Sequence, residues 1–442
     1  MAKDMPADPM MVRCYRYLMT SLSLILPYYL ARRAKKGKET NRSLNERRGL
    51  YQTPPPKADQ RIWLHAVSVG EASAALSLAD ALQKADPDQK LCFIFTTGTV
   101  TAARMIQEKA GNLVYQHLYA PFDAPAIVTR FFDHCQPDFG VIFESDFWPM
   151  MMITAHQRHI PLYLASAQMS DTSVAQWQKY PSLANAIFAP VKTGFMTDEK
   201  QAQIFAKMGL LQTQITGTLK LPSYVARQTP FAKELRQIAG DKWLILAAST
   251  HPSEEQQILA VSAYLHAKDI DHLLVIAPRH PDRADEVARL CGTIAGAAKR
   301  RSHGALPEAS DSLYLCDSLG EMPSLYQAAD IVWLGASFSG RGGHNPLEAA
   351  SYGKPILCGP SQFKNQYEFD QLHEKGVCIT TSQTAHTAQI ICDVMQDDDR
   401  RAVIAKAGKS YATKARKRAG IVAKQISSDQ NLPDQNLKGQ RS

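Results

Sequence analysis

The chain has 442 residues, of which 45% are hydrophobic and 21% are charged. This ordinary globular composition excludes a collagen-like chain, a largely disordered chain and a polytopic membrane protein. Because a single hydrophobic core rarely grows past roughly 250–300 residues, the length predicts two domains. None of the eight cysteines forms a C-x-x-C pair. They therefore favour a reducing compartment and do not support a zinc ribbon.

The net charge of +8 is unevenly distributed. Residues 1–48 carry 11 Lys/Arg against 4 Asp/Glu, residues 49–399 carry 28 against 36, and residues 400–418 carry 8 against none. The body of the chain is acidic, with basic segments near both ends. This pattern argues against nucleic acid, which usually meets a basic folded face, and favours an anionic membrane surface as partner.

The first predicted element is an apolar segment at residues 17–31. It is shorter than the roughly 20 residues that span a bilayer, and Pro27 interrupts it. Basic residues follow at 32–38 in place of a cleavage site, which should keep the rest of the chain cytoplasmic. We expect a short uncleaved anchor that either spans the membrane or lies in its interface. The alternative is a buried first helix with a solvated basic end.

Strand and helix patterns then alternate in two blocks. In the first block, strands are predicted at 62–67, 91–96, 139–143, 162–166, 186–189 and 194–196, and helices at 72–84, 101–110, 124–134, from 149 and at 198–208. After a pause at 221–227, strands are predicted at 243–248, 273–277, 312–315, 331–334 and 355–358, and helices at 253–268, 281–290, 322–328 and 346–352. This α/β alternation predicts two parallel sheets covered by helices.

We therefore expect two Rossmann-like domains that face each other across a cleft. The predicted divisions are an anchor with a basic linker at 1–48, a first domain at 49–225, a second domain at 226–426 and a disordered polar tail at 427–442.

A glycine-rich segment, GRGGHNPLEAA, carries the clearest chemical signal. Gly342 and Gly343 permit a tight loop, Asn345 suits a helix N-cap and Pro346 suits the first helical position. Free N–H groups at such a helix start bind phosphate, and Glu348 nearby can accept hydrogen bonds from ribose hydroxyls. The alternative is an ordinary capped helix after a glycine loop.

Further polar residues follow predicted strands. Glu71 lies at a strand–helix turn, where it can act as a general base or simply stabilise the helix start. Glu144 and Asp146 end another strand, Lys220 closes the first domain, and Arg279 ends a strand of the second. Because open α/β sheets bind ligands at the carboxyl ends of their strands, these residues predict one ligand site. No metal-ligand spacing, P-loop or dinucleotide fingerprint is present in the sequence, and we assign no metal.

These segments, in this order, resemble the Kdo transferases, which attach 3-deoxy-D-manno-oct-2-ulosonic acid (Kdo) to lipid A precursors. The segments that carry the resemblance are 65–71, 249–251, 278–281, 319–321 and 341–350. The resemblance implies a GT-B glycosyltransferase fold and an amino-terminal anchor on the cytoplasmic face of the inner membrane. It also implies transfer from CMP-Kdo to a tetra-acylated lipid A precursor, with inversion and without a cofactor.

The resemblance further implies residue roles. Glu71 matches the general base, and Glu144 and Lys220 match positions that assist the transition state. The positions that match the CMP site are Pro278, Arg279, Leu319, Gly320, Glu321, Asn345, Pro346, Leu347 and Glu348. Gln168 stands where the family often has an arginine, so acceptor handling can differ here. Two rival interpretations are a GT-B enzyme with another nucleotide sugar and an inactive paralogue that binds at the membrane.

Overall fold

The computed structural model describes residues 9–220, 227–294 and 296–431. Most of the predicted joint at 221–227, and the predicted tail from residue 432, lie outside the described residues. The chain forms two compact units. Residues 9–220 and 416–431 belong to the first unit, and residues 227–415 belong to the second.

The first unit is a parallel sheet of seven strands with helices packed on it. Its strands are β1 (Gln60–His65), β2 (Leu91–Thr97), β3 (Tyr115–Tyr119), β4 (Phe139–Phe143), β5 (Leu162–Ala167), β6 (Thr193–Met196) and β7 (Thr213–Ile215). Their order is β3-β2-β1-β4-β5-β6-β7. Its helices are α1 (Met10–Lys35), α2 (Asn41–Glu46), α3 (Val69–Ala85), α4 (Val100–Lys109), α5 (Pro125–Cys135), α6 (Pro149–Gln157), α7 (Asp171–Trp177), α8 (Pro181–Phe188) and α9 (Glu199–Lys207).

The second unit repeats this architecture. Its strands are β8 (Trp243–Thr250), β9 (His272–Pro278), β10 (Lys299–Arg300), β11 (Leu313–Leu315), β12 (Ile331–Leu334), β13 (Ile356–Cys358) and β14 (Cys378–Thr380). Their order is β10-β11-β9-β8-β12-β13-β14. The helices after residue 227 are α10 (Pro230–Ala239), α11 (Glu254–His266), α12 (Ala284–Ile294), α13 (Met322–Ala328), α14 (Leu347–Ser351), α15 (Gln366–Glu374), α16 (Thr384–Gln396), α17 (Asp398–Arg416) and α18 (Arg418–Asn431).

Burial explains why the strands could be predicted. Every residue of β2 is buried, as expected for a parallel strand that has helices on both faces. Trp63 in β1 and Trp333 in β12 are likewise fully buried. The prediction of an α/β fold with two parallel Rossmann-like sheets is confirmed.

Three predicted elements are corrected. Residues 186–189 do not form a strand. Residues 186–188 end α8, whose Leu183 and Ile187 pack into the core, and Ala189 is its C-cap. The predicted helix at 281–290 begins as a 3-10 turn, Pro281–Arg283, before α12. The predicted helix at 346–352 is the five-residue α14.

The first helix, α1, packs one face on the first unit and leaves the other open. Val12, Met19, Leu26 and Leu30 are buried. The exposed side carries large apolar residues, namely Tyr17, Leu18, Leu22, Leu24, Ile25, Tyr28 and Tyr29. Within the described part of the chain, no helix has the length and apolar character needed to cross a membrane. The burial of one face of α1 agrees with the alternative of a first helix packed on the domain.

The last helix returns the chain to the first unit. Val422, Ala423 and Ile426 of α18 join the core formed by α3 and the first sheet. The structure therefore differs from the predicted divisions at two places. Residues 416–426 belong to the first unit rather than the second, and residues 427–431 are helical rather than a disordered tail.

Candidate active site

Glu71 lies at the start of α3, directly after β1. Its carboxylate accepts hydrogen bonds from the Val67 backbone N–H at 2.8 Å and from Ser68 Oγ at 2.7 Å. The Ser68 hydroxyl in turn caps the Glu71 N–H at 3.3 Å. Glu71 therefore also stabilises the start of the helix, as the alternative interpretation expected. Its carboxylate and the hydroxyl of its N-cap residue, Ser68, hydrogen-bond reciprocally. The same bonds hold the carboxylate in one orientation at the carboxyl edge of the sheet.

Glu144 and Lys220 form a close ion pair beside this turn. The Lys220 Nζ lies 2.5 Å from the Glu144 Oε1. A Cβ atom on Gly70 would lie 2.9 Å from the Lys220 Cε, so the lysine stem lies directly against the start of α3. Burial raises the pKa of Glu144, the Lys220 charge lowers it, and the Glu71 charge raises it further. The structure thus brings the three predicted catalytic residues into one cluster.

The backbone around Glu144 is constrained. Glu144 has a φ angle of +60° and Ser166, at the end of β5, has a φ of +53°. Non-glycine residues rarely adopt this left-handed region, and those that do are concentrated at functional sites. The Ser166 Oγ accepts the Leu219 N–H at 2.8 Å, which fixes the segment that carries Lys220. Gln168 hydrogen-bonds the Glu144 side chain, so the residue that departs from the family pattern lies in this cluster.

A second polar network supports the same strand ends. The Thr96 Oγ1 accepts the Trp63 Nε1–H at 2.8 Å, and the His65 Nδ1 lies 2.8 Å from the same oxygen. The His65 Nε2 lies 2.9 Å from the Asp146 Oδ2 and donates to it when it carries a proton. Burial raises the pKa of Asp146, but the hydrogen bonds from His65 and Trp148 lower it by more, so the carboxylate is ionised.

In the second unit, Glu348 is hydrogen-bonded to the buried Tyr326 and lies near Arg279. Arg279 follows Pro278 at the end of β9, and its N–H donates to the Thr250 O at 3.0 Å. Burial raises the pKa of Glu348, while its hydrogen bond with Tyr326 and the charge of Arg279 lower it. Arg279 and Glu348, which were predicted separately to contact a phosphate and a ribose, are therefore close enough to interact.

The glycine loop before α14 is tightly packed. Gly342 and Gly343 have φ angles of +89° and +73°. A Cβ on Gly343 would lie 2.7 Å from the ring of Phe369, so both conformation and space require glycine there. The Asn345 Oδ1 accepts the Leu347 N–H at 3.0 Å. Pro346, not Asn345, is the N-cap of the short helix, so the predicted cap is displaced by one residue.

The remaining predicted segment, Leu319–Gly320–Glu321, leads into α13. Leu319 is 81% exposed and Gly320 has a φ of +88°. Glu321 does not cap α13 with its side chain, since it pairs with Arg301 at 3.1 Å. Arg301 in turn lies over the ring of Phe231 at 4.0 Å. This segment follows β11, so it shares the carboxyl edge of the sheet with Arg279.

Two histidines mark a region of positive potential at that edge. The His251 Nε2 lies 3.1 Å from the His344 Nε2, and the rings stack. Burial lowers the pKa of His251 to about 4, helped by Arg341 and other nearby cations. Burial also lowers the pKa of His344 to about 4, helped by His251 and Arg279. Two neutral imidazoles surrounded by cations indicate a site that favours an anion.

Comparisons with known proteins identify the family of this chain. Residues 42–223 match the family described as 3-deoxy-D-manno-octulosonic-acid transferase (kdotransferase), and residues 241–411 match glycosyl transferases group 1. The chain is 32% identical to 3-deoxy-D-manno-octulosonic acid transferase of Rickettsia bellii over 364 residues, 80% of this chain and 84% of that protein. The Haemophilus influenzae protein of the same name is 31% identical over 384 residues, 84% of this chain and 88% of that protein. The chain belongs to the Kdo transferase family.

The fold of this Kdo transferase also has solved neighbours. A putative UDP-N-acetylglucosamine 2-epimerase from Listeria monocytogenes superposes with a TM-score of 0.59 at 15% identity, over 85% of this chain and 98% of that one. At that identity the likeness concerns the fold, and it agrees with the predicted GT-B-like architecture.

Some contacts and residues of the candidate site were not predicted from the sequence. The His65–Asp146 and His251–His344 contacts join residues that are far apart in the chain, and only their positions after strands hinted at them. Glu254 was also missed. Its fully buried carboxylate accepts the backbone N–H groups of His251, Ala336 and Phe338, and so ties the ends of β8 and β12 together. Among the described residues, no group of three His, Cys, Asp or Glu side chains could hold a metal ion.

Proposed function

We propose that this Kdo transferase moves Kdo from CMP-Kdo to a tetra-acylated lipid A precursor (lipid IVA) in lipopolysaccharide biosynthesis, with inversion at the anomeric carbon. The observation that carries the proposal is the cluster of Glu71, Glu144 and Lys220 at the carboxyl edge of the first sheet. Family membership supplies the sugar, and the cluster supplies groups for the chemistry.

Glu71 is the proposed general base. In the transfer, an acceptor hydroxyl attacks the anomeric carbon of Kdo, its proton passes to Glu71, and CMP leaves with the electrons of the broken C–O bond. The bonds from Val67 and Ser68 orient the carboxylate before substrate arrives, so little reorganisation is needed.

Glu144 and Lys220 are proposed to stabilise the transition state. Sugar transfer develops positive charge on the ring, which a nearby carboxylate favours, while the ammonium group can bind the carboxylate of Kdo or the developing anion. Their 2.5 Å contact favours the charged form of Glu144, which burial opposes.

The second unit is proposed to bind the CMP group. Arg279 would neutralise the phosphate, Leu347 would line the site, and Glu348 would accept hydrogen bonds from ribose hydroxyls. Pro278, Asn345, Pro346 and the segment Leu319–Gly320–Glu321 would complete the walls of this site. Since CMP carries one phosphate, we propose that these protein groups stabilise it without a metal.

The open face of α1 is proposed to bind the cytoplasmic surface of the inner membrane. Its exposed tyrosines and leucines can enter the lipid interface, and the basic residues of its last turn, Arg32, Arg33 and Lys35, can meet anionic headgroups. Sedimentation with vesicles of anionic lipid should remove the protein from the supernatant, and neutral vesicles should bind it less. Equal binding to anionic and neutral vesicles would contradict the role proposed for the basic residues.

One assay tests the reaction. Purified protein, CMP-Kdo, the tetra-acylated acceptor and EDTA are mixed, and products are analysed by mass spectrometry. We expect mass gains of whole Kdo units, and their number gives the number of sugars added. No gain with CMP still bound would contradict the proposed acceptor. Competition by UDP or GDP in place of CMP would favour the rival nucleotide-sugar enzyme, and no turnover with any donor would favour the inactive paralogue.

A further inference from the structure

A buried carboxylate links the first helix to the segment that carries Glu144. Asp123, 1% exposed, precedes α5. It accepts the Tyr15 hydroxyl of α1 at 2.9 Å and the N–H groups of Met150 and Met151 at 2.9 Å each. Those N–H groups belong to the first turn of α6, which has no intrahelical partners for them. Asp123 therefore caps α6 from a distance and uses a donor from α1 to complete its own bonds.

The turn that Asp123 caps lies directly after the proposed catalytic segment. Glu144 and the start of α6 at Pro149 are separated by four residues. Within this segment, the Trp148 Nε1 donates to the Asp146 Oδ2 at 2.7 Å, and Asp146 is bonded to His65. The segment is thus held at its middle by β1 and at its end by Asp123. Its position depends on both attachments.

The first helix also supplies apolar cover at the same place. Val12, one turn before Tyr15, lies in the cluster that contains Met150 and Met151. Burial raises the pKa of Asp123 to about 7, while hydrogen bonds from Met150, Tyr15 and Met151 lower it. The Tyr15 hydroxyl therefore helps to stabilise the charged form of Asp123, which is the form that caps α6 most strongly.

We propose that Tyr15 and Asp123 are positioning residues that couple the seating of α1 to the position of Glu144. This inference rests on the proposed function of Glu144. The helix whose outer face is open to a lipid surface would then also set the geometry of the catalytic segment. An enzyme whose first helix is displaced would bind the nucleotide normally and transfer the sugar slowly.

The test compares Tyr15→Phe with Tyr17→Phe. Tyr17 lies on the same helix and is 74% exposed, so its variant loses a hydroxyl without touching Asp123. Hydrogen exchange is measured by mass spectrometry on peptides that cover residues 144–152. Loss of one buried hydrogen bond should speed exchange there about fivefold to tenfold in Tyr15→Phe, with no change in Tyr17→Phe. Exchange in β2 should stay as in the wild type.

Kinetics supply the second measurement, well below the unfolding temperature. We expect kcat of Tyr15→Phe to fall about threefold to tenfold with an unchanged KM for CMP-Kdo. Unchanged exchange at 144–152, an equal change in Tyr17→Phe, or faster exchange throughout the first unit would overturn the coupling. Exchange needs no turnover, so a wild-type protein that transfers no Kdo would contradict the proposed function and leave the coupling to be decided by exchange.

Discussion

The Lys220 ammonium group lies 2.5 Å from the Glu144 carboxylate, although 76 positions separate the two residues in the chain. Glu144 is buried and adjacent to a second carboxylate, Glu71, and both conditions oppose its ionisation. Lys220 offsets them in part. In the proposed mechanism the ion pair would let the two carboxylates act side by side, Glu71 taking a proton and Glu144 staying charged near the reacting sugar.

Replacing the lysine should expose this dependence. In Lys220→Met the pKa of Glu144 should rise, because the main group that lowers it is lost. Turnover at pH 7 should fall about 10- to 100-fold, and the acidic limb of the pH–rate profile should move to higher pH. Lys220→Arg keeps the charge and should recover part of the rate. A Lys220→Met enzyme with the wild-type profile would contradict the role given to the pair.

Removing the proposed base should separate chemistry from binding. Glu71→Gln keeps the shape of the side chain but cannot take a proton, so turnover should fall about 10²- to 10⁴-fold. CMP affinity, measured by calorimetry, should be unchanged because Glu71 and the proposed CMP residues lie in different units. Asp80→Asn on the same helix is the control, since Asp80 bonds an exposed lysine of the same helix. Substantial turnover in Glu71→Gln would remove Glu71 from the mechanism.

Two glycines of the proposed nucleotide loop give a matched pair. Gly340 and Gly343 have φ angles of +71° and +73°, so alanine is strained at both. A Cβ on Gly340 has nothing within 4 Å, whereas one on Gly343 lies 2.7 Å from Phe369. We expect CMP binding to be weaker in Gly343→Ala than in Gly340→Ala by about tenfold or more, because the loop must shift to make room for the methyl group at residue 343. Equal affinities in the two variants would show that the loop is not part of the nucleotide site.

The two faces of α1 predict opposite results for neighbouring leucines. Leu26 is 3% exposed and Leu24 is 80% exposed. Leu26→Ala should lower the free energy of unfolding by about 2–5 kcal/mol, measured by denaturant titration, with little effect on vesicle binding. Leu24→Ala should change stability by less than about 0.5 kcal/mol and weaken binding to anionic vesicles. Equal effects of the two variants on either measurement would contradict the division of faces.

The histidine pair makes the second unit sensitive to acid. The folded pKa values of His251 and His344, about 4, lie below the ordinary value of about 6.5. Between pH 6.5 and 4 these histidines are protonated in the unfolded chain but neutral in the folded unit. The free energy of unfolding is therefore highest above pH 6.5 and falls as the pH drops toward 4. Amide exchange in β8 and β12 should speed up over that range. In His344→Asn this exchange should depend less steeply on pH than in the wild type. An unchanged pH dependence would contradict the lowered pKa values assigned to the two histidines.

The sequence predicted those parts of the molecule that depend on local pattern. Strands β4 and β12 match their predicted limits, because each is a short run of apolar residues that begins directly after an aspartate. The helix α8 was partly mistaken for a strand, since four apolar residues do not distinguish a buried helix end from a strand. The short strands β3, β7 and β14 were not predicted, because they are stabilised by neighbours in the sheet rather than by their own composition.

The candidate site divides in the same way. Glu71 and Glu144 could be placed because strand ends of a parallel sheet share one edge. The contacts of Glu144 with Lys220 and Gln168 could not be predicted, because they depend on the left-handed backbone of Glu144 and on the Ser166–Leu219 hydrogen bond. The role of α1 was likewise hidden, since a hydrophobic segment with a basic end is equally consistent with a detachable anchor and with a helix packed on the domain.

The return of α18 to the first unit bears on the order in which the protein matures. The Arg418 guanidinium donates to the Thr218 O at 3.1 Å, and so holds the segment that ends at Lys220. The ribosome releases residue 220 long before residue 418, so a nascent chain has the strands of the first sheet but lacks their last support. The segment that ends at Lys220 therefore receives this bond only once synthesis is nearly complete, so the first unit is the last of the two to be finished although its sheet is the first to be made.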